Sequence, residues 1–270
     1  MNWNLQGKAA VVTGAGGAIC GEIASALAGE GVRVALWDIS EEAASARRDL
    51  IAKGGGEVVS VTCDATSRKS VAEALDRTVE AFGTVDILIN GAGGGRPETT
   101  TSDSLSFFDF RPEDMQRVIA LNYLSAVIPS QAVGRLLAEK KRGAVVNISS
   151  AAGLRPVTRA LSYSDGKAAT VSFTRWLAVH MAQTYSPDIR VNTIAPGFII
   201  TTQNRFLLVD EATGELTERG RSVIERVPMG RFGEPREIVG AALWLVSDWA
   251  SFVTGAVITT DGGFTAYAGV

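Results

Sequence analysis

A doubly wound α/β fold, with one parallel seven-stranded sheet and helices on both faces, is predicted by three features of the sequence. Short apolar runs alternate with longer helix-like stretches through most of the chain. The apolar runs are continuous rather than alternating, as in Val85-Asp86-Ile87-Leu88-Ile89 and Val145-Val146-Asn147-Ile148, the pattern of strands covered on both faces. Seven such runs follow one another in βα order, which calls for a doubly wound arrangement.

The strands are expected over 8–13, 32–38, 57–62, 85–90, 144–149, 189–194 and 256–260. Helical length and periodicity fall on 41–53, 67–82, 112–139 and 163–184. Residues 1–270 read as one domain. Two segments are longer than a βα connection needs to be, near 93–111 and 197–233, the second with a short helix expected in its middle. Both follow strand ends, the side on which open α/β sheets bind ligands, so both are read as substrate loops.

Composition narrows the function. Hydrophobic residues make up 46% and charged residues 20% of the 270 positions, enough apolar material for a buried sheet. A net charge of −3 and the lack of a basic run argue against a nucleic-acid partner. No apolar run is long enough to span a bilayer. The start, Met1-Asn2-Trp3-Asn4-Leu5, has neither a basic flank nor an apolar core, so no secretory signal is expected. Two cysteines, Cys20 and Cys63, make no disulfide framework and suit a reducing, cytoplasmic setting. No metal site is expected.

Thr13-Gly14-Ala15-Gly16-Gly17-Ala18-Ile19-Cys20-Gly21 stands between the first strand and the first helix. Glycine there lets the backbone turn tightly and approach a diphosphate, while the helix N-terminus offers N–H donors. Gly14, Gly17 and Ile19 are therefore expected at the cofactor. The strict G-x-G-x-x-G spacing is not met. Asp38 closes the second strand, where a carboxylate accepts hydrogen bonds from a ribose diol and repels a 2′-phosphate, favouring NAD over NADP. Its alternative is to cap the segment after it, Ser40-Glu41-Glu42. Asp64, after the third strand, is expected to meet adenine or, equally, to cap the helix starting near Ser67. In Asn90-Gly91-Ala92-Gly93 the small residues allow the dinucleotide to lie on the backbone, so Asn90 and Ala92 join the expected contacts.

Tyr163 and Lys167 stand one turn apart on one helix face, Ser150 ends the fifth strand, and Asn122 lies in the preceding long helix. Oxidising a secondary alcohol needs a base for the hydroxyl proton as hydride leaves for nicotinamide. Tyrosine ordinarily ionises at about pH 10, and Lys167 together with the positive nicotinamide is expected to bring Tyr163 down. Ser150 is expected to hydrogen-bond the substrate oxygen, and Asn122 to hold a water linking Lys167 to solvent.

Across essentially the whole chain these residues resemble the short-chain dehydrogenase/reductase family, whose fold is the Rossmann arrangement. The resemblance rests on the Thr13-Gly14 loop, Asp64, Asn90-Gly91-Ala92-Gly93, Asn122, Ser150, Tyr163/Lys167, and Pro196-Gly197 with Thr201. It implies that Asn122, Ser150, Tyr163 and Lys167 form a catalytic tetrad, with Tyr163 and Lys167 also touching the cofactor. It implies that Asp38 and Asp64 take the adenosine end, and that Pro196, Ile199 and Thr201 sit at the nicotinamide. A homotetramer built on paired long helices is implied as well. Ala18 and Cys20 depart from the family's glycines, and Asp165-Gly166 from the small pair usual before the lysine.

A narrower resemblance, to the short-chain type of D-mannonate oxidoreductase, rests on Gly93-Gly94-Gly95-Arg96-Pro97, Thr202-Gln203-Asn204-Arg205 and Pro228-Met229-Gly230-Arg231-Phe232-Gly233. It implies reduction of the ketone of a hexuronic acid, D-fructuronate, to D-mannonate. A sugar-acid pocket should hold a cation and several polar groups. Arg96, Arg159 and Arg205 are candidates for the carboxylate, Arg159 foremost because it precedes Tyr163 by one turn; Gln203 and Asn204 are candidates for hydroxyls. Each arginine could equally be a solvated surface residue. The alternatives are a dehydrogenase of another polyol or keto-sugar acid, such as a gluconate 5-dehydrogenase, and a nucleotide-binding regulator without turnover.

Overall fold

The computed structural model describes residues 3–201 and 204–269. Seven strands, β1 (Ala9–Thr13), β2 (Arg33–Asp38), β3 (Val58–Thr62), β4 (Ile87–Asn90), β5 (Gly143–Ile148), β6 (Ile189–Pro196) and β7 (Val257–Thr260), form one sheet in the order β3-β2-β1-β4-β5-β6-β7. Every pairing is parallel. The helices are α1 (Ala18–Gly29), α2 (Glu41–Lys53), α3 (Arg68–Phe82), α4 (Pro112–Lys140), α5 (Leu161–Thr184), α6 (Arg205–Leu208), α7 (Glu218–Ile224) and α8 (Val239–Val246).

Neighbouring residues of one strand feed opposite cores, which is why the strands read as unbroken apolar runs. Val12, Leu36, Ile89 and Val146 pack with Ile23 and Leu27 of α1 and with Ala242 and Leu245 of α8. Val11, Trp37, Leu88 and Val145 pack with Val71 of α3, Leu137 of α4 and Met181 of α5. Ile23 and Leu27 are fully buried, each contributing ~2 kcal/mol of apolar burial.

The strand order reverses between β1 and β4, with Thr13 opposite Asn90. The chain leaves β1 to one side and β4 to the other, opening a crevice at the carboxyl edge. The Thr13 side chain accepts from the backbone N–H groups of Gly91 (3.0 Å) and Ala92 (3.2 Å), tying the two diverging loops together. The long connection after β6 carries two short helices, α6 and α7, instead of the single one expected. Among the described residues no helix is long and apolar enough to cross a membrane.

Candidate active site

The turn after β1 is fixed by glycine. Gly14 has φ +66°, and a Cβ there would lie 2.9 Å from the Ala92 nitrogen, so no other residue fits. Gly17 N–H donates to Gly14 O (3.0 Å), closing the turn. Gly17 then stands at the N-cap of α1 without a side-chain cap, leaving first-turn N–H groups for an anion. Ile19, half-buried on that turn, packs on the core below.

Asp38 locks this loop to the sheet. One carboxylate oxygen accepts from Gly16 N–H and the other from Ser40 N–H, both at 2.9 Å. The cap of α2 is Ser40, which accepts from Ala43 N–H, so Asp38 is left at the crevice. Asp64 likewise leaves the capping of α3 to Ser67. Its Oδ1 accepts from Thr66 N–H (2.8 Å) and Thr66 Oγ1 (2.6 Å), which holds it at the end of β3. A glycine cradle closed against Ala92, a bare helix start and an acidic group at the end of β2 together fit a nicotinamide dinucleotide.

Asn90 ends β4 with its side chain turned into the core. It is buried, and its amide nitrogen donates away from the crevice, to Ser130 Oγ (2.9 Å) and Asn147 Oδ1 (2.8 Å). Asn147 donates on to Thr174 Oγ1 (2.8 Å). The Asn90 side chain therefore belongs to a buried polar network, which leaves the backbone contact expected of it untouched. Ala92, the next small residue but one, has its carbonyl held by Ser125 Oγ at 2.9 Å.

Tyr163 and Lys167 lie on the first turns of α5. Ser150 follows β5 and opens a 3-10 turn over Ala151–Gly153, its hydroxyl accepting from Ala152 N–H (3.1 Å). Burial pushes the Tyr163 phenol up, and its hydrogen bond with Ser150 opposes that rise. The lowering expected from Lys167 is not found in the chain itself. Lys167 Nζ is turned to the Ile148 carbonyl (2.9 Å) and lies 5.8 Å from the centre of the Tyr163 ring. Burial also pushes the Lys167 ammonium down, to about 8.

Asn122 acts as a clamp. Its amide donates to Gly94 O (2.9 Å) and Val118 O (2.9 Å) and accepts from Gly94 N–H (3.0 Å). Its own carbonyl accepts from Thr170 Oγ1 (2.8 Å). Protein groups thus hold the polar atoms that were expected to hold a water. A Cβ on Gly93 would fall 2.7 Å from Asn122 Oδ1 and 3.2 Å from Lys167 Nζ, so Asn122 brings this backbone against Lys167. The departure at Gly166 has the same origin. A Cβ there would lie 2.8 Å from the Asn122 Cβ, so glycine lets α4 and α5 meet at this point. Asp165 is exposed, and nothing in the structure explains it.

The rims are less uniform. Pro196 ends β6, and buried Ile199 leads into a turn stapled to Gly233 through Ile200 N–H to Gly233 O (2.9 Å). Asn204 was expected to read hydroxyls, but its amide accepts from Thr201 N–H (2.7 Å) and donates to Ile199 O (2.8 Å), both ends serving the turn. Arg96 and Arg159 are exposed; Arg159 has φ +78° and its carbonyl accepts from Thr101 N–H (3.0 Å). Arg205 lines a cavity with Gly16 and Ala18 of the glycine-rich turn after β1. Arg47 of α2 lines the same cavity; within a charged helix it carries no sequence signal that would single it out. Gln203 lies outside the described residues.

Known proteins resemble this chain over almost its whole length. Residues 14–265 match a family described as enoyl-(acyl carrier protein) reductase. An uncharacterized oxidoreductase of Bacillus subtilis (strain 168), UxuB, is 39% identical, with 99% of this chain and 98% of the relative covered. The chain belongs to the short-chain dehydrogenase/reductase family. As a family member it is an oxidoreductase acting on an alcohol or ketone with a nicotinamide dinucleotide. Among solved structures, a candidate D-mannonate oxidoreductase from Haemophilus influenzae with bound NAD superposes with a TM-score of 0.92 at 38% identity, covering 99% of this chain and 98% of that one. A candidate NAD(P)-dependent gluconate 5-dehydrogenase from Beutenbergia cavernae, with NADP bound at low occupancy, gives 0.85 at 30% identity, covering 99% and 100%. The short-chain dehydrogenase fold thus carries both dinucleotides among this chain's neighbours.

Proposed function

We propose that this short-chain dehydrogenase/reductase interconverts D-fructuronate and D-mannonate with NAD, through Ser150, Tyr163, Lys167 and Asn122. The observation that carries the chemistry is the placing of Ser150 at the end of β5 against Tyr163, with Lys167 5.8 Å from the Tyr163 ring centre. Bound NADH supplies the hydride that goes to the carbonyl carbon. Ser150 and Tyr163 hold the carbonyl oxygen, and the Tyr163 phenol gives it the proton, so ketone, hydride and proton balance to the alcohol. Burial keeps that phenol protonated, which suits reduction. The Lys167 ammonium steadies the phenolate left behind, and Asn122 sets the backbone at Gly93–Gly94 that faces it. Asp38, held at the end of β2 by two backbone N–H groups, supports NAD over NADP as the partner of an adenosine ribose diol. Asp64 is assigned to adenine, and Pro196, Ile199 and Thr201 to the nicotinamide half.

The hexuronate is supported by the likeness to the NAD-bound D-mannonate oxidoreductase structure and by Arg159 beside the first turn of α5. Exposed Trp176 and Val179 on α5 support the homotetramer built on paired long helices. A screen of NADH oxidation against D-fructuronate, D-tagaturonate, 5-ketogluconate and simple ketones tests the reading. Turnover should be fastest with D-fructuronate and should fall off with NADPH. Preference for 5-ketogluconate would move the assignment to a gluconate 5-dehydrogenase, and no turnover with any ketone would overturn it.

A further inference from the structure

We propose that Arg205 and Arg47 form a two-guanidinium clamp on the diphosphate of the nicotinamide dinucleotide, so that Arg205 serves the cofactor and not the substrate. The inference does not depend on which ketone is reduced.

The two arginines come from opposite halves of the chain and meet at one cavity of about 420 Å³. On one side are Gly16 and Ala18 of the phosphate loop; on the other are Ile200, Thr201 and Arg205, from the connection after β6. Gly16 N–H is the donor that holds Asp38, so this wall belongs to the ribose end. Thr201 follows the end of β6, on the far side of the strand reversal. A cavity that touches both lies along the middle of an extended dinucleotide, where the diphosphate is. Neither Ser150 nor Tyr163 lines it, which separates it from the reacting carbonyl.

The Arg47 guanidinium is pre-positioned, and Arg205 is anchored through its backbone. Arg47 Nη1 donates to Glu22 Oε1 (3.1 Å) and Ser25 Oγ (3.3 Å), anchoring one edge on α1. The group lies over Gly21, where a Cβ would come within 2.6 Å of Arg47 Cζ, so glycine at 21 makes its seat. The other N–H groups of the fork remain for the cavity. Arg205 is held through its backbone: its N–H donates to Thr201 O (2.9 Å), within the turn that Asn204 closes. Its side chain makes no ion pair among the described residues. With Glu22 held by Arg47 and Asp38 taken up by the Gly16 and Ser40 N–H groups, the remaining N–H groups of the two guanidiniums are those a doubly charged diphosphate would engage with bidentate hydrogen bonds.

Direct titration of the full chain with NADH, NADPH and ADP-ribose, without ketone, tests this. Arg205→Ala and Arg47→Ala should each weaken NADH and ADP-ribose by roughly tenfold or more, and the loss should shrink as salt is raised. Arg205→Lys should recover only part, because an ammonium cannot make the forked contact. Arg205 is exposed while Arg47 is mostly covered and paired with Glu22, so an unchanged melting temperature is expected for Arg205→Ala and a small drop for Arg47→Ala. Titration well below both transitions reads affinity on folded protein. Unchanged NADH and ADP-ribose affinity in Arg205→Ala would overturn the proposal. So would a loss confined to NADPH, which would assign the pair to a 2′-phosphate, or a loss in only one of the two variants.

Discussion

Cys20 and Gly91 share one space at the point where the strand order reverses: a side chain begun at Gly91 would put its first carbon 1.9 Å from the Cys20 sulphur. The thiol at a position where the family has glycine is therefore matched by a missing side chain across the crevice floor. Gly91→Ala should destabilise the protein by about 1–3 kcal/mol, as overpacking does. In a Cys20→Gly background most of that penalty should vanish. Urea unfolding of the two single variants and the double variant measures the coupling; additive effects would show that the contact is relieved elsewhere.

The same burial makes both thiols unreactive. The Cys20 thiol is pushed up to about 12 and the Cys63 thiol to about 11, in both cases chiefly by burial. Neither holds an appreciable thiolate fraction at pH 8, and the thiolate is the nucleophile. Iodoacetamide at pH 8 should leave the native protein unmodified over hours and label both residues once denaturant is added. Mass spectrometry of the two samples checks it, and labelling of the native Cys20 would contradict the packing described.

Gly166 connects helix packing to the site. Alanine is ordinarily better than glycine inside a helix by about 1 kcal/mol. Here its methyl would sit 2.8 Å from the Asn122 Cβ, and overpacking of that kind outweighs the propensity gain. Gly166→Ala should lower stability by about 1 kcal/mol and reduce kcat by more than tenfold, because Asn122 carries the Gly94 backbone with it. A variant with higher Tm and full kcat would show that α4 and α5 can separate freely.

The sheet was legible because its physics is local: short continuous runs such as Val85-Asp86-Ile87-Leu88-Ile89, repeated in βα order, read as strands covered twice, whereas the caps of α2 and α3 fell to Ser40 and Ser67 and not to Asp38 and Asp64. The order of Ser150, Tyr163 and Lys167 was legible for the same reason, since strand ends and helix turns fix where each side chain emerges. What could not be read was the direction in which a polar side chain points. Asn90 and Asn204 stand at the right places in the chain, yet one amide serves the network beneath the sheet edge and the other closes its own turn. Such choices depend on partners distant in sequence: Asn147 and Ser130 for Asn90, Asn122 for Gly166, Gly91 for Cys20. Tyr163 makes the same point in electrostatics, since the neighbouring ammonium is one turn away on the helix but is aimed at the Ile148 carbonyl.

Lys167 gives a pH dependence whose sign is fixed by burial. Its ammonium falls from 10.5 to about 8 in the folded protein. Between those values the unfolded chain holds a proton that the folded one releases, so stability rises with pH across the window. Below pH 8 the full penalty of the buried cation applies, about 3 kcal/mol. Cys20 and Tyr163 act with the opposite sign at higher pH, so the comparison must be with a variant. The stability of the wild type relative to Lys167→Met should rise between pH 8 and 10 in chemical unfolding. A pH-independent difference would mean that Lys167 is solvated in the native state.

Arg159 separates stability from substrate binding in a single substitution. Its φ of +78° costs a non-glycine residue about 1–2 kcal/mol, and such strain persists where the surroundings over-determine it. Here the Thr101 N–H holds its carbonyl. Arg159→Gly removes the guanidinium and the strain together, while glycine's freer unfolded chain returns about 0.5–1 kcal/mol of the gain. Tm should therefore stay level or rise slightly. If the guanidinium binds the uronate carboxylate, the KM for D-fructuronate should rise 10- to 100-fold, and the KM for a neutral ketose should not move. Arg159→Ala should show the same KM change with lower stability, because it keeps the strained backbone. Equal KM changes for the acidic and the neutral substrate would remove Arg159 from carboxylate recognition and leave it as a loop residue held in an unfavourable conformation.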